Sequence, residues 1–231
     1  MIQEQDRSHQ PRPGSSASAK AFVPALGIHA LTRFYDGLIR GALAEDAWKG
    51  RLVERIAPAP DDVIVDLGCG TGTLAIMLKQ ACSSARVIGI DPDEAMLAPA
   101  RDKVRAAGIE VDLRRGQADR LPLGDGSATK VVSSLVFHHM QQDTKRAALR
   151  EAYRVLRPGG RLILADWAKP HDLLMRLAYL PVQIADGFPN TRDNLQGLLP
   201  VLVREAGFEG VVETYRRRTA LGSLAFVEAT R

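Results

Sequence analysis

Val63-Ile64-Val65-Asp66-Leu67-Gly68-Cys69-Gly70-Thr71-Gly72 runs from a short apolar stretch into three glycines, and a helical pattern from Thr73 to Cys82 follows at once. An apolar, β-branched run this short, closed by glycines, reads as a buried strand. Glycines are needed where the backbone turns tightly and lets a ligand approach without a Cβ in the way. A bare glycine cluster says little. Set between a strand and a helix, it marks a ligand-receiving loop.

Outward from this stretch, apolar runs alternate with helical patterns from Asp62 to about Trp167. Ala85 to Ile90 reads as a strand, Asp93 to Ala107 as a helix, and Ile109 to Arg114 as an alternating strand near a sheet edge. Lys130 to Val136 is a third strongly apolar strand. The helical pattern Gln142 to Leu156 stops at Arg157-Pro158-Gly159-Gly160, read as a turn, and Arg161 to Ala165 is a further strand. Continuous apolar runs predict strands covered on both faces, and the β–α alternation predicts a parallel sheet.

Upstream, Leu31, Phe34, Tyr35, Leu38, Ile39 and Leu43 fall at helical spacing, and a second helix from Trp48 to Ile56 ends before Ala57-Pro58-Ala59-Pro60. Downstream, Leu173 to Ile184 is apolar but interrupted by Arg176 and Pro181. Thr191 to Ala206 reads as one helix closed by Gly207. Strands at Val211 to Tyr215 and Leu224 to Ala229 flank a turn region holding Arg216-Arg217-Arg218. The organisation expected is a polar, disordered leader at 1–20 and one domain at 21–231. Within it, 21–60 form a helical cap or lid, 61–167 a cofactor-binding core, 168–208 an acceptor lid and helix, and 209–231 the final strands.

The 231 residues are 45% hydrophobic, 25% charged and 5% aromatic, an ordinary globular composition sufficient for one sizeable core. With 31 Lys and Arg against 27 Asp and Glu, the formal charge is +4, and Arg216-Arg217-Arg218 is the one obvious basic run, so nucleic acid is not an expected partner. Cys69 and Cys82 form neither a metal-ligand spacing nor a disulfide framework, which fits a reducing, cytoplasmic setting. No stretch approaches the ~18 uninterrupted apolar residues of a spanning helix.

The glycine spacing discriminates between ligands. A dinucleotide loop is G-x-G-x-x-G, which would place its third glycine at position 73; here it is Gly72, and Asp66 stands at the entrance. A carboxylate there repels phosphate and suits a cationic ligand. The P-loop reading lacks a G-K-[ST] ending. A second carboxylate, Asp91, ends the next strand, where an acidic residue can accept hydrogen bonds from ribose hydroxyls in either nucleoside reading.

The segments VDLGCGTG (65–72), GIDPDEAML (89–97) and RVLRPGGRLILADW (154–167) resemble class I S-adenosylmethionine-dependent methyltransferases, in the branch acting on small molecules, quinones or lipid headgroups. The resemblance covers about Tyr35 to Trp167 well and the final strands loosely. It implies a Rossmann-like, doubly wound α/β fold with a mostly parallel seven-stranded sheet, an antiparallel final strand and an N-terminal helical cap. It also implies S-adenosylmethionine as cofactor. By this resemblance the main chain at Gly68, Cys69, Gly70 and Gly72 approaches the methionine and ribose, and Asp66 lies near the methionine amino end. Asp91 holds the ribose hydroxyls, Pro92 and Met96 pack on adenine, and Ser134 at the fourth strand's end completes the cofactor side. Gln117 stands where the family often has an Asp for the adenine amino group, and Ala118 offers main-chain contacts instead. The family's usual Phe-Asp opening of the fourth strand is replaced by Ala128-Thr129.

The implied reaction is an in-line attack on a sulfonium methyl, which requires no metal, covalent intermediate or catalytic triad. Ligands of such sheets sit beyond the strands' carboxyl ends. His138 there is either a base for a hydroxyl or ammonium acceptor or a hydrogen-bonded loop histidine, with His139 beside it. Asp166 either orients the substrate or caps a helix. Tyr35-Asp36 resembles a family lid motif, and Leu173 to Phe188, with Met175 and Tyr179, reads either as a lid over an apolar acceptor or as core. With Arg176 nearby, a peripheral membrane contact fits this segment. The expected activity is methyl transfer to O, N or C of a small, largely apolar acceptor, with a quinone precursor or a lipid headgroup leading. Two alternatives compete. A nucleic-acid base methyltransferase often carries an Asn/Asp-Pro-Pro-aromatic motif where Ser134-Leu135-Val136-Phe137 stands, and a non-catalytic cofactor-binding interaction protein is favoured by Gln117 alone.

Overall fold

The computed structural model describes residues 45–231; the leader, the amphipathic stretch up to Leu43 and the lid candidate Tyr35 lie outside the described residues. Helix α1 (Glu45–Ile56) leads into β1 (Val63–Leu67), α2 (Thr73–Ala81), β2 (Arg86–Asp91), α3 (Glu94–Ala106), β3 (Asp112–Arg115) and β4 (Ala128–Ser134). A 3-10 turn at Phe137–His139 precedes α4 (Gln142–Val155) and β5 (Leu156–Trp167). Four short helices follow: α5 (Leu173–Ala178), α6 (Leu180–Asp186), α7 (Phe188–Gln196) and α8 (Leu199–Glu205). Strands β6 (Glu209–Thr219) and β7 (Gly222–Thr230) close the chain. All seven strands share one sheet, in the order β3-β2-β1-β4-β5-β7-β6. The first five are parallel neighbours, and β7 runs antiparallel to both β5 and β6.

Strand alternation sorts the apolar runs into two cores. Val65, Leu67, Ile88, Ile90, Val131, Leu162 and Leu164 face one, roofed by Ala148, Leu149 and Ala152 of α4 and Leu202 and Val203 of α8. Ile64, Val87, Val132 and Ile163 face the other, beneath Trp48 and Leu52 of α1 and Leu74 and Leu78 of α2. Burial on both faces is why these runs carry no polar alternation. The strand order reverses between β1 and β4, and this opens a crevice beyond their carboxyl ends.

Several expectations shift. Arg157-Pro158-Gly159-Gly160 is not a turn but the opening of β5: the Gly159 N–H donates to the Arg231 carbonyl (2.8 Å), and the Gly160 carbonyl accepts from the Arg231 N–H (2.9 Å). Thr191 to Ala206 is two helices, because Gly197 at φ 72° ends α7 and Pro200 sits in the first turn of α8. Pro181 likewise divides the apolar segment by heading α6. The three arginines lie on β6, and the β6–β7 turn falls at Ala220-Leu221. Thr129 has a structural use: its hydroxyl donates to Asp62 Oδ1 (2.6 Å) and accepts from the Val63 N–H (3.1 Å), fastening the start of β4 to β1.

Candidate active site

The glycine loop crosses the carboxyl end of β1. Gly68 and Cys69 both donate their amides to the Ile90 carbonyl, at 2.8 and 3.1 Å, so the loop is tied to β2 as it turns. Gly68 has φ 71°, and a Cβ there would lie 2.4 Å from Cγ2 of Val136, so only glycine lets β1 and the post-β4 loop come this close. Gly70 differs. At φ 51° a Cβ would meet nothing within 4 Å, leaving bare backbone facing open space, as a ligand cradle needs. Gly72, also at positive φ, abuts Ala100 of α3. The Cys69 thiol is buried, and burial followed by the charges of Asp66 and Asp91 pushes its pKa up, so it stays a protonated filler.

Two carboxylates flank this loop. Asp91 Oδ2 accepts from the Gly70 N–H and Oδ1 from the Asp93 N–H, both at 2.9 Å. Burial raises its pKa, and the two amide bonds work against that rise. Each oxygen keeps a further lone pair for a hydroxyl. Asp66 is 1% exposed, and neither of its oxygens has a hydrogen-bond partner among the described residues. Burial pushes its pKa up to about 7, with the Lys49 charge and the nearby Ala75 amide opposing. A buried, unpartnered carboxylate is costly, and a cationic group would relieve it. The cofactor's ammonium is such a group, so these residues fit S-adenosylmethionine. Pro92 and Met96 are half-buried just beyond Asp91, Ala118 packs against the core, Gln117 is exposed in a bridge with Arg120, and Ser134 ends β4 half-buried.

Beyond β4 the chain strains. Leu135 takes φ 57°, a left-handed conformation that costs a branched residue roughly 1–3 kcal/mol. Asp166, at the end of β5, holds the loop in place. Its Oδ2 accepts from the Val136 (3.2 Å) and Phe137 (2.7 Å) amides. Its Oδ1 meets His138 Nδ1 (2.8 Å), the Trp167 amide (2.7 Å) and Asn194 Nδ2 (3.3 Å). With five partners and 2% exposure, Asp166 organises the site from beneath. Burial alone would raise its pKa, but His138 and these hydrogen bonds outweigh it and hold the carboxyl below its usual range. Burial lowers the His138 pKa, whereas Asp186 raises that of the half-exposed His139 against burial.

Asp186, the last residue of α6, reaches both histidines: 3.5 Å from His138 Nε2 and 3.2 Å from His139 Nδ1. Tyr179 packs on Trp167 with ring centroids 5.3 Å apart, and its hydroxyl is buried without a partner among the described residues. Burial, then Asp166 and Asp186, push that phenol up, so it remains a donor. Met175 is buried on α5, beneath its Asp172 cap. The site thus gathers Asp66, Asp91 and the glycines at one end, and His138, His139, Asp166 and Tyr179 at the other. Sequence reasoning misses Asp186, Asn194 and Lys49. Asp186 did leave one signal, a carboxylate closing a helix, where the dipole disfavours it.

Residues 64–160 match a family model described as a methyltransferase domain. A demethylmenaquinone methyltransferase of Thermus thermophilus is 38% identical over 136 residues, 59% of this chain and 61% of that protein. One from Symbiobacterium thermophilum is 31% identical over 173 residues, 73% of this chain and 68% of its own length. A 2-phytyl-1,4-naphtoquinone methyltransferase of Synechococcus elongatus is 35% identical, and 56% of both chains is spanned. Thus the chain spans under two thirds of the Thermus and Synechococcus relatives. Among solved structures, the YcgJ protein of Bacillus subtilis superposes with a TM-score of 0.65 at 16% identity, covering 79% of this chain and 97% of that one, and so shares the fold. The glycine loop between two carboxylates, the sheet order and these matches converge: the chain belongs to the class I S-adenosylmethionine-dependent methyltransferases.

Proposed function

We propose that the protein transfers the methyl group of S-adenosylmethionine to O, N or C of a small, largely apolar acceptor, with a quinone precursor ahead of a lipid headgroup. The observation that carries this reading is the fully buried, unpartnered carboxylate of Asp66 beside Asp91 and the open backbone of Gly70. Asp66 would hold the cofactor's ammonium, Asp91 its ribose hydroxyls, and Pro92, Met96, Gln117 and Ala118 would surround the adenine. When bound, the sulfonium supplies an electrophilic methyl together with its own leaving group. The chain's part is therefore alignment and exclusion of water.

The acceptor end supports an apolar, oxygen-bearing substrate. Tyr179 offers a buried O–H donor for a carbonyl or hydroxyl, and Trp167 and Val182 line the same apolar cluster. Leu173, Leu174, Leu177, Ile184 and Phe188 leave an apolar surface on the segment that covers it. Both ring nitrogens of His138 face carboxylates, so we assign it positioning and not proton abstraction. The quinone methyltransferases among the relatives support the choice of acceptor. Among the described residues, no helix is long and apolar enough to cross a membrane.

Calorimetry with S-adenosylmethionine tests the cofactor half: Asp91→Ala should weaken binding by about tenfold or more, or ~1.4 kcal/mol, in a protein that stays folded. Unchanged affinity would misplace the site. Offering a reduced naphthoquinone and phospholipid vesicles side by side, with methylated product followed by mass, tests the acceptor half. Cofactor turnover with neither acceptor methylated would refute the acceptor assignment.

A further inference from the structure

We infer that His138, His139 and Asp186 form a binding site for a divalent transition-metal cation of the zinc or iron(II) class. The three ligand atoms lie within 4.8 Å of one another, with Asp186 oxygens 3.5 Å from His138 Nε2 and 3.2 Å from His139 Nδ1. Ligands held at 2.0–2.2 Å around a tetrahedral ion are about 3.4 Å apart, which the two histidine–Asp186 separations match, while the 4.8 Å bound on the set leaves the two rings to draw together around the ion.

Donor and acceptor accounting points the same way. His138 Nδ1 sits 2.8 Å from Asp166 Oδ1, a carboxylate that can only accept, so the ring proton belongs on Nδ1. With the ring neutral, the Nε2 lone pair then faces another carboxylate, and two acceptors confront each other across 3.5 Å. A cation between them converts that repulsion into two bonds. Asp166 is then the outer carboxylate that fixes a metal-bound imidazole in its tautomer. Asp186 ends α6, where the helix carbonyls already concentrate negative charge, and it pairs with His139 Nδ1, so a cation at this site would take the place of that ring's proton.

An independent feature also calls for a ligand. Tyr179 is 2% exposed, and its hydroxyl has no hydrogen-bond partner among the described residues and lies within the fields of Asp166 and Asp186. An acceptor oxygen or water entering this end of the site would give it a partner. Two imidazoles and one carboxylate suit zinc, cobalt(II) or iron(II) better than magnesium or calcium, which prefer all-oxygen sites. Occupied, the site would rivet α6 to the loop after β4.

The test uses the untagged full chain, stripped of metal and titrated with Co²⁺ followed by visible absorption, then with Zn²⁺ by calorimetry. The expected result is one equivalent of cobalt with a nitrogen- and oxygen-ligated d–d band that zinc displaces. Asp186→Asn and His139→Gln should each weaken zinc binding by about tenfold or more, ~1.4 kcal/mol. His171→Gln, whose ring instead contacts Ser223 Oγ at 2.6 Å, should leave it unchanged. The His139 side chain is 35% exposed, so His139→Gln should disturb the core least and remains informative if Asp186→Asn fails to fold. No saturable band, or a zinc affinity indifferent to both site variants, overturns the assignment and leaves a proton as what the groups share. Because the readout is the metal itself, this result is independent of whether methyl transfer is found.

Discussion

Replacing Asp66 by Asn removes one charge from the interior while keeping the side chain's shape, and the consequence for stability depends on pH. In the unfolded chain this carboxyl titrates near 3.8; in the folded chain burial carries it to about 7, with Lys49 opposing. Between those values the folded state holds a proton that the unfolded state has released. Stability therefore falls as pH rises through the window from about 4 to 7, and is flat for this group on either side. Three units of difference at about 1.36 kcal/mol each make a penalty of roughly 4 kcal/mol above pH 7. Asp66→Asn lacks this penalty. Its unfolding free energy from urea titration should match the parent's near pH 4 and exceed it increasingly up to pH 7.5, by up to roughly 4 kcal/mol. The same variant should bind S-adenosylmethionine about tenfold or more weakly, since no anion remains for the ammonium. Paired urea titrations from pH 4 to 9, with and without cofactor, read both effects. A stability difference that does not change with pH would refute the reasoning, because it would mean that Asp66 is ionised at no cost.

Gly68→Ala should cost about 2–5 kcal/mol, combining left-handed backbone with overpacking, since the new methyl would stand 2.4 Å from Val136 Cγ2. Adding Val136→Ala should restore the overpacking part, and strictly additive denaturation midpoints would contradict that contact. Lys145 is fully buried, its Nζ donating to the Asn190 carbonyl (2.7 Å), Asn194 Oδ1 (3.0 Å) and Asp193 Oδ2 (3.2 Å). Lys145→Met should destabilise by about 3–5 kcal/mol through the stranded carboxylate, with thermal unfolding as the check and Asp193→Asn as partial rescue. Tyr179→Phe should leave the fold intact or stabilise it by about 1 kcal/mol, since the hydroxyl is buried without a partner, while the acceptor's KM rises; a clear loss of stability would reveal a bond not seen here.

The sheet's centre was legible because its physics is local. Apolar runs such as Ile64, Val65 and Val131, Val132 are buried on both sides, and the glycine spacing before α2 follows from one backbone path. The carboxylates Asp66 and Asp91 were readable for the same reason, each ending a strand beside the loop. What failed to show was tertiary. Gly159-Gly160 became strand because distant Arg231 supplies their ladder partners, whereas the break at Gly197 and Pro200 is a local signal that the continuing apolar spacing masks. Asp186 meets His138 only after two short helices fold back. Nothing in its neighbours' spacing announces that meeting. The sequence alone leaves two roles for Asp166, because its partners come from segments on both sides of it in the chain.

Asp166 draws on the loop after β4, the end of β5 and helix α7 through a single carboxylate. Mutational effects at position 194 should therefore be epistatic with those at 138, since either substitution changes the geometry available to the other. The solvent-facing leucines at 173, 174 and 177 carry no such coupling. Under the proposed function, acceptor scope would drift there one residue at a time, whereas change beneath the histidines would demand concerted replacement.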